Sequence, residues 1–165
     1  MLIACGGQAS VTAGISPIPI NQMLFFTVLV GLVLGARMAL SASLAYLAAA
    51  SIFNLGWPAG AGDAPLSGPM SGYLAAIPLS CASSGYVVDR LKFEAPVTFA
   101  MAGALGLTLY HLGGTVGLAL HPRLHGQQAA LLSSAPAAGV YLFQAAMAVL
   151  IACGLSSRLA AASRG

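Results

Sequence analysis

Long apolar runs, broken by Gly, Pro and polar clusters, set the pattern of this chain. None of the runs alternates polar and apolar residues as a membrane-facing strand would, so helices are predicted. Six are expected, over about 1–13, 23–35, 38–54, 72–88, 96–118 and 136–156. The first is short: as a helix it rises about 20 Å, against the roughly 30 Å of a bilayer core. Residues 14–22 alternate proline with isoleucine and read as an extended loop that ends on Asn21 and Gln22. Gly35-Ala36-Arg37 reads as a tight turn carrying a charge. In the third helix Ser41, Ala45 and Ala49 repeat every four residues, a small-residue face that lets helices approach closely.

The middle of the chain departs most from this pattern. Residues 55–71 form a long Gly/Pro loop holding the only tryptophan, Trp57, and long loops in compact domains are usually functional or disordered. Trp57 at a helix end is either an interfacial anchor or part of a site. Within the stretch Ser67 to Leu74, Gly68-Pro69 is turn chemistry, and Gly72-Tyr73-Leu74 enters the next helix with a phenol at its polar rim. This stretch is expected to fold over a site between membrane helices.

Composition turns the helical pattern into a class. Of 165 residues, 59% are hydrophobic and 5% charged, and the mean hydropathy is +0.92. About a quarter of a typical soluble domain is charged, so a single all-α integral membrane domain over residues 1–165 is expected. A net charge of +3 from six scattered Lys/Arg makes no basic patch, which excludes a nucleic-acid partner. Cys5, Cys81 and Cys153 are odd in number and lie in apolar runs without Cys-x-x-Cys spacing, so neither a disulfide framework nor a zinc site is expected. The N-terminus lacks the basic region of a cleaved signal peptide.

The charges that remain are unevenly placed. Six helices put Arg37, Arg90, Lys92, Arg158 and Arg164 on one side and only Arg123 on the other. By the positive-inside rule both termini are expected in the cytoplasm, and the three elaborate loops outside. The densest charge cluster, Asp89, Arg90, Lys92 and Glu94, reads as a solvated loop.

No catalytic constellation is visible. Walker, dinucleotide and His-Glu-x-x-His sequences are absent, so neither an enzyme nor a cofactor or metal site is expected. His111, beside Tyr110, reads as a local hydrogen-bonding residue, and His121 and His125 flank Pro122 in a loop. What remains is a set of neutral polar groups near the outer side: Gln22, Asn54, Tyr73, Tyr110, Tyr141 and Gln144. Tyr141 and Gln144 are three apart and share a helix face. Such groups in apolar helices need partners, from other helices or from a ligand, and together they favour a pocket for a small polar molecule.

Several motifs then carry a resemblance. Pro17-Ile-Pro19-Ile-Asn-Gln22 is followed by Gly31-Leu-Val-Leu-Gly35-Ala-Arg37 and Leu44-Ala-Tyr46-Leu. Gly56-Trp57-Pro58-Ala-Gly60 and Gly68-Pro69-Met-Ser-Gly72-Tyr73-Leu74 come next. In order and spacing they resemble the BioY family, the substrate-capture (S) components of energy-coupling-factor biotin transporters; the last motif, similar to Gly-Pro-Thr-Gly-Gly-Tyr-Leu, is the most specific. The resemblance implies six membrane helices whose outer loops close over biotin or a similar small molecule. It also implies a transmembrane coupling protein and a pair of ATPase subunits as partners, and a location in the plasma or inner membrane. The ligand contacts it suggests are Gln22, Trp57, Gly68, Pro69, Gly72, Tyr73, Tyr110, Tyr141 and Gln144. The chain departs from the family pattern at three positions. Tyr141 and Gln144 stand where the family has Asp and Lys, and Gly106 where it often has Asn. A second reading follows from those departures and from the short first helix: a diverged homologue, structural rather than transporting, with altered or lost ligand specificity.

Overall fold

The architecture is set by a turn at Gly35. The computed structural model describes residues 2–8, 10–11, 20–53, 57, 66–68, 70–91, 95–120 and 136–162. Its helix α2, Met23–Phe53, is broken at Gly35, where φ is 74° and ψ is 172°. Glycine adopts this left-handed φ freely, whereas a residue with a Cβ loses about 1–2 kcal/mol there. The two halves of α2 fold back on each other. Thr27 and Ser43, equally far from Gly35 in sequence, both meet one thiol: Cys81 Sγ donates to the Thr27 carbonyl at 3.2 Å and lies against the Ser43 hydroxyl. In a straight helix those two residues would stand about 24 Å apart.

Asp89 holds this turn from outside. Its Oδ2 accepts a 2.9 Å hydrogen bond from the Ala36 backbone N–H, capping the second half of α2 as an N-cap residue would. A Cβ at position 35 would come within 2.6 Å of Asp89 Oδ1. Gly35→Ala therefore meets both a backbone and a contact penalty and is expected to lower stability by about 2 kcal/mol. Asp89→Ala, which loses only the cap, is expected to lower it by about 1 kcal/mol. Thermal melts of the purified variants check the order; a Gly35→Ala variant as stable as the parent would sink this account of the turn.

The other elements follow in order. Helix α1 is Leu2–Gln8, and strands β1, Ser10–Val11, and β2, Ile20–Asn21, pair antiparallel with Ser10 opposite Asn21. Helices α3, Ser71–Arg90, α4, Ala95–Leu120, and α5, Pro136–Ala162, complete the described chain. The apolar pattern alone predicts a first helix running to about residue 13; it stops at Gln8, because the chain leaves the helix to pair its backbone with the segment that enters α2. The helices expected at 23–35 and 38–54 lie within the single bent α2. Among the described residues there are therefore five helices.

Helix α3 is the centre of the bundle, and small residues let its neighbours approach. Gly72 meets Gly113 and Gly117 of α4, Ala76 meets Gly113, Ser80 Oγ donates to the Gly106 carbonyl at 2.7 Å, and Ser84 Oγ donates to the Ala102 carbonyl at 3.0 Å. Each step up α3 is matched by a step down α4, so the two run antiparallel. On the other side Gly31 backs onto Cys81 and Ser84, and Gly85 onto the Gly35–Ala36 backbone. Pro78 lies within α3 and removes one backbone donor, a loss that neighbouring helices tolerate in membrane proteins.

The outer surface of the bundle is far more apolar than that of a water-soluble protein, and several small polar side chains lie inside with the apolar core. Thr27, Ser43, Ser80, Ser84, Thr98 and Gln144 are buried, while Val33, Met38, Ile52, Leu79, Leu112 and Phe143 are exposed. Exposed apolar surface of this extent requires an apolar surrounding. Pro96–Gly117 is long and apolar enough to cross a bilayer, and Met23–Phe53 is more apolar still but divided at Gly35.

Candidate functional site

One end of the bundle carries the loop chemistry. There the Gly68 carbonyl accepts from the Ser71 N–H at 3.0 Å, and the Met70 carbonyl accepts from the Leu74 N–H at 3.1 Å. This turn delivers the chain into α3 with Gly72 and Tyr73 in its first turn. Gly72 lies so close to α4 that a Cβ would sit 2.5 Å from the Gly113 carbonyl oxygen. That proximity carries the Tyr73 ring over Gly114, where any side chain would overlap it.

The result is an aromatic cluster. The Tyr73 and Tyr110 rings are 5.2 Å apart at 50°. His111 stands edge-on to both, 6.2 Å from Tyr73 and 5.9 Å from Tyr110. Tyr73 is 9% exposed and Tyr110 2%, and each ring has a polar end that buried surroundings must satisfy. Trp57 packs half-buried against the same core, and its carbonyl accepts from Gln8 Nε2 at 2.6 Å, tying α1 to the loop after α2. Gln22 is half-buried at the entry to α2, where its carbonyl accepts from the Phe26 N–H at 3.3 Å. Gln144, 2% exposed, is held inside the bundle on α5, about one and a half turns before Val149, which packs on Gly103 of α4.

The structure thus brings Tyr73 and Tyr110 into contact and sets Trp57 against the same core. Gly72 serves their placement by close backbone approach. Pro69, Asn54, Lys92, Glu94, His121, His125 and the Tyr141 side chain lie outside the described residues. His111 is a member of the cluster that the expected contact set omits. The signal for it was present, because it adjoins Tyr110, but its contact with Tyr73 depends on the register between α3 and α4. Gly106 also has a structural role: the Ser84 hydroxyl fills the space a side chain there would need.

A groove of about 600 Å³ opens at the same end, lined by Leu47, Leu66, Ser67, Ser71, Ala75 and Leu120 among others. Ser71 and Ala75 lie about 160° around α3 from Tyr73, so the groove and the aromatic cluster occupy opposite faces of that helix. Among the described residues no group of His, Cys, Asp and Glu is arranged to hold a metal ion. The cluster itself consists of two phenol rings and an imidazole.

The long apolar helices and the apolar side chains on the outer surface define a helical membrane protein. Residues 1–161 match the model of the BioY family, and the chain belongs to that family. It is 31% identical over 156 residues to the probable biotin transporter BioY of Pyrococcus horikoshii, covering 92% of this chain and 87% of the relative. Its fold is similar to the crystal structure of the S-component for biotin from an ECF-type ABC transporter. The TM-score is 0.74 with 22% identity, over 94% of this chain and 85% of that one. The family is one of transporter components, not enzymes.

Proposed function

We propose that this chain is the substrate-capture membrane subunit of a biotin uptake transporter. The family match over residues 1–161 carries the reading. The Gly68 to Leu74 turn, with Tyr73 packed against Tyr110, supports its location. In this reading biotin, or a closely similar molecule, enters at the loop end and is held by Tyr73, Tyr110 and Gln144, with Trp57, Gln22 and Tyr141 at its margins. Gly68 and Pro69 shape the lid that closes over it. The chain has six membrane segments, counting both halves of α2 and α1, whose seven helical residues reach only part of the way across. The Gly35 end, which carries Arg37 and Arg90, faces the cytoplasm together with both termini. A transmembrane coupling protein and ATPase subunits supply the energy, and reorientation of the domain releases the ligand inside.

Purified protein in detergent is expected to retain radiolabelled biotin, and Tyr73→Ala is expected to weaken retention about tenfold or more through the lost ring contact. A folded native chain that fails to bind micromolar biotin would reject the assignment. That outcome would favour a diverged homologue with altered ligand specificity, which the neutral Gln144 at a buried position supports.

A further inference from the structure

The end of the bundle opposite the loops holds a second hollow, of about 430 Å³. Its walls are Leu34, Gly35, Ala36, Arg37, Met38, Tyr86, Asp89 and Arg90, of which the first five come from the bend in α2 and the last three from the C-terminal end of α3. The chemistry of this hollow is divided. Arg37 and Arg90 are exposed, and Arg90 lies 5.5 Å above the Tyr86 ring. Asp89 is the only acid in the lining, and its Oδ2 is engaged by the Ala36 N–H. Among the described residues it forms no ion pair with either guanidinium. The remaining rim is apolar and faces outward: Met38 is 62% exposed and Leu34 39%. Tyr86, 55% exposed, has the amphipathic form enriched where bilayer meets water.

We infer that this hollow binds the phosphate headgroup of an anionic phospholipid, gripped between Arg37 and Arg90. Guanidinium groups match phosphate oxygens in bidentate geometry, and basic pockets between membrane helices recur as headgroup sites. The outward Leu34 and Met38 receive the glycerol and upper acyl chain, a feature that free phosphate has no use for. This rests on the reading that the bundle spans a bilayer, and not on which solute binds at the other end. A lipid there bridges α2 and α3 across the Gly35 turn, so its occupancy steadies the same junction that Asp89 caps.

The test uses the full chain in nanodiscs of phosphatidylcholine with a minor share of phosphatidylglycerol. After extraction, native mass spectrometry reads which phospholipid stays bound. Phosphatidylglycerol is expected to be retained about tenfold over phosphatidylcholine. The preference is expected to vanish in Arg37→Gln/Arg90→Gln and to survive in Arg37→Lys/Arg90→Lys, while excess inorganic phosphate leaves it unchanged. Both arginines are exposed, and melting curves of the variants confirm folding. Equal retention of the two lipids by the native chain overturns the proposal. A preference that persists in the folded glutamine variant overturns its location. Displacement by inorganic phosphate assigns the hollow to a free anion and overturns the lipid. Biotin binding that fails while lipid selectivity holds bears on the solute assignment alone.

Discussion

Gly72→Val separates α3 from α4 and is expected to be strongly destabilising. A Cβ at this position would lie 2.5 Å from the Gly113 carbonyl oxygen, 2.6 Å from Gly117 Cα and 3.0 Å from the Gly117 N. All three are backbone atoms, so no rotamer change relieves the overlap and one helix must move. Overpacking of this kind costs about 3 kcal/mol, a large share of a marginal total. The displacement also lifts Tyr73 from Tyr110, so ligand retention should fall with stability. Gly154→Ala provides the control, because nothing lies within 4 Å of a Cβ there; it should leave the melting temperature unchanged or raise it slightly through better helix propensity. Indistinguishable melting temperatures for the two variants would remove close backbone approach as the basis of the α3–α4 contact.

The helical membrane class was legible from composition and from the absence of alternation. So was the turn at Gly35, since a Gly-Ala-Arg break between two apolar runs has little else to be. The end of α1 was not, because Gln8 to Ala13 is small and apolar enough for helix or strand, and the choice is made by a partner strand lying beyond the Pro-rich loop. The packing code of α3 was hidden for a related reason. Gly72, Ser80 and Ser84 look like a weak, polar face until Gly117, Gly106 and Ala102 are aligned against them, and that register is a property of two helices together. Tyr73 and Tyr110 could be named singly as polar aromatics in apolar runs, but their contact, and the inclusion of His111, depends on the same register.

The departures from the family pattern lead to the second large effect. Gln144 is 2% exposed, so Gln144→Lys alone places a cation inside the bundle with no acid supplied for it. The expected cost is about 3 kcal/mol or more, the usual penalty for an uncompensated buried charge. Tyr141→Asp introduces a carboxylate three residues earlier, on the same helical face. The double variant Tyr141→Asp/Gln144→Lys should therefore recover at least half of the lost stability, a coupling far larger than distant sites show. It should also hold biotin about tenfold more tightly than the native chain, because charge-assisted contacts replace neutral ones. Gly106→Asn is expected to behave differently although it too moves the chain toward the family pattern. The Ser84 hydroxyl occupies that space while donating to the Ala102 carbonyl, so the larger side chain costs stability without a gain in binding. Melting curves with and without biotin across the single and double variants read all of these effects. Additive losses at 141 and 144 with no gain in biotin retention would show that this bundle no longer presents α5 to the ligand.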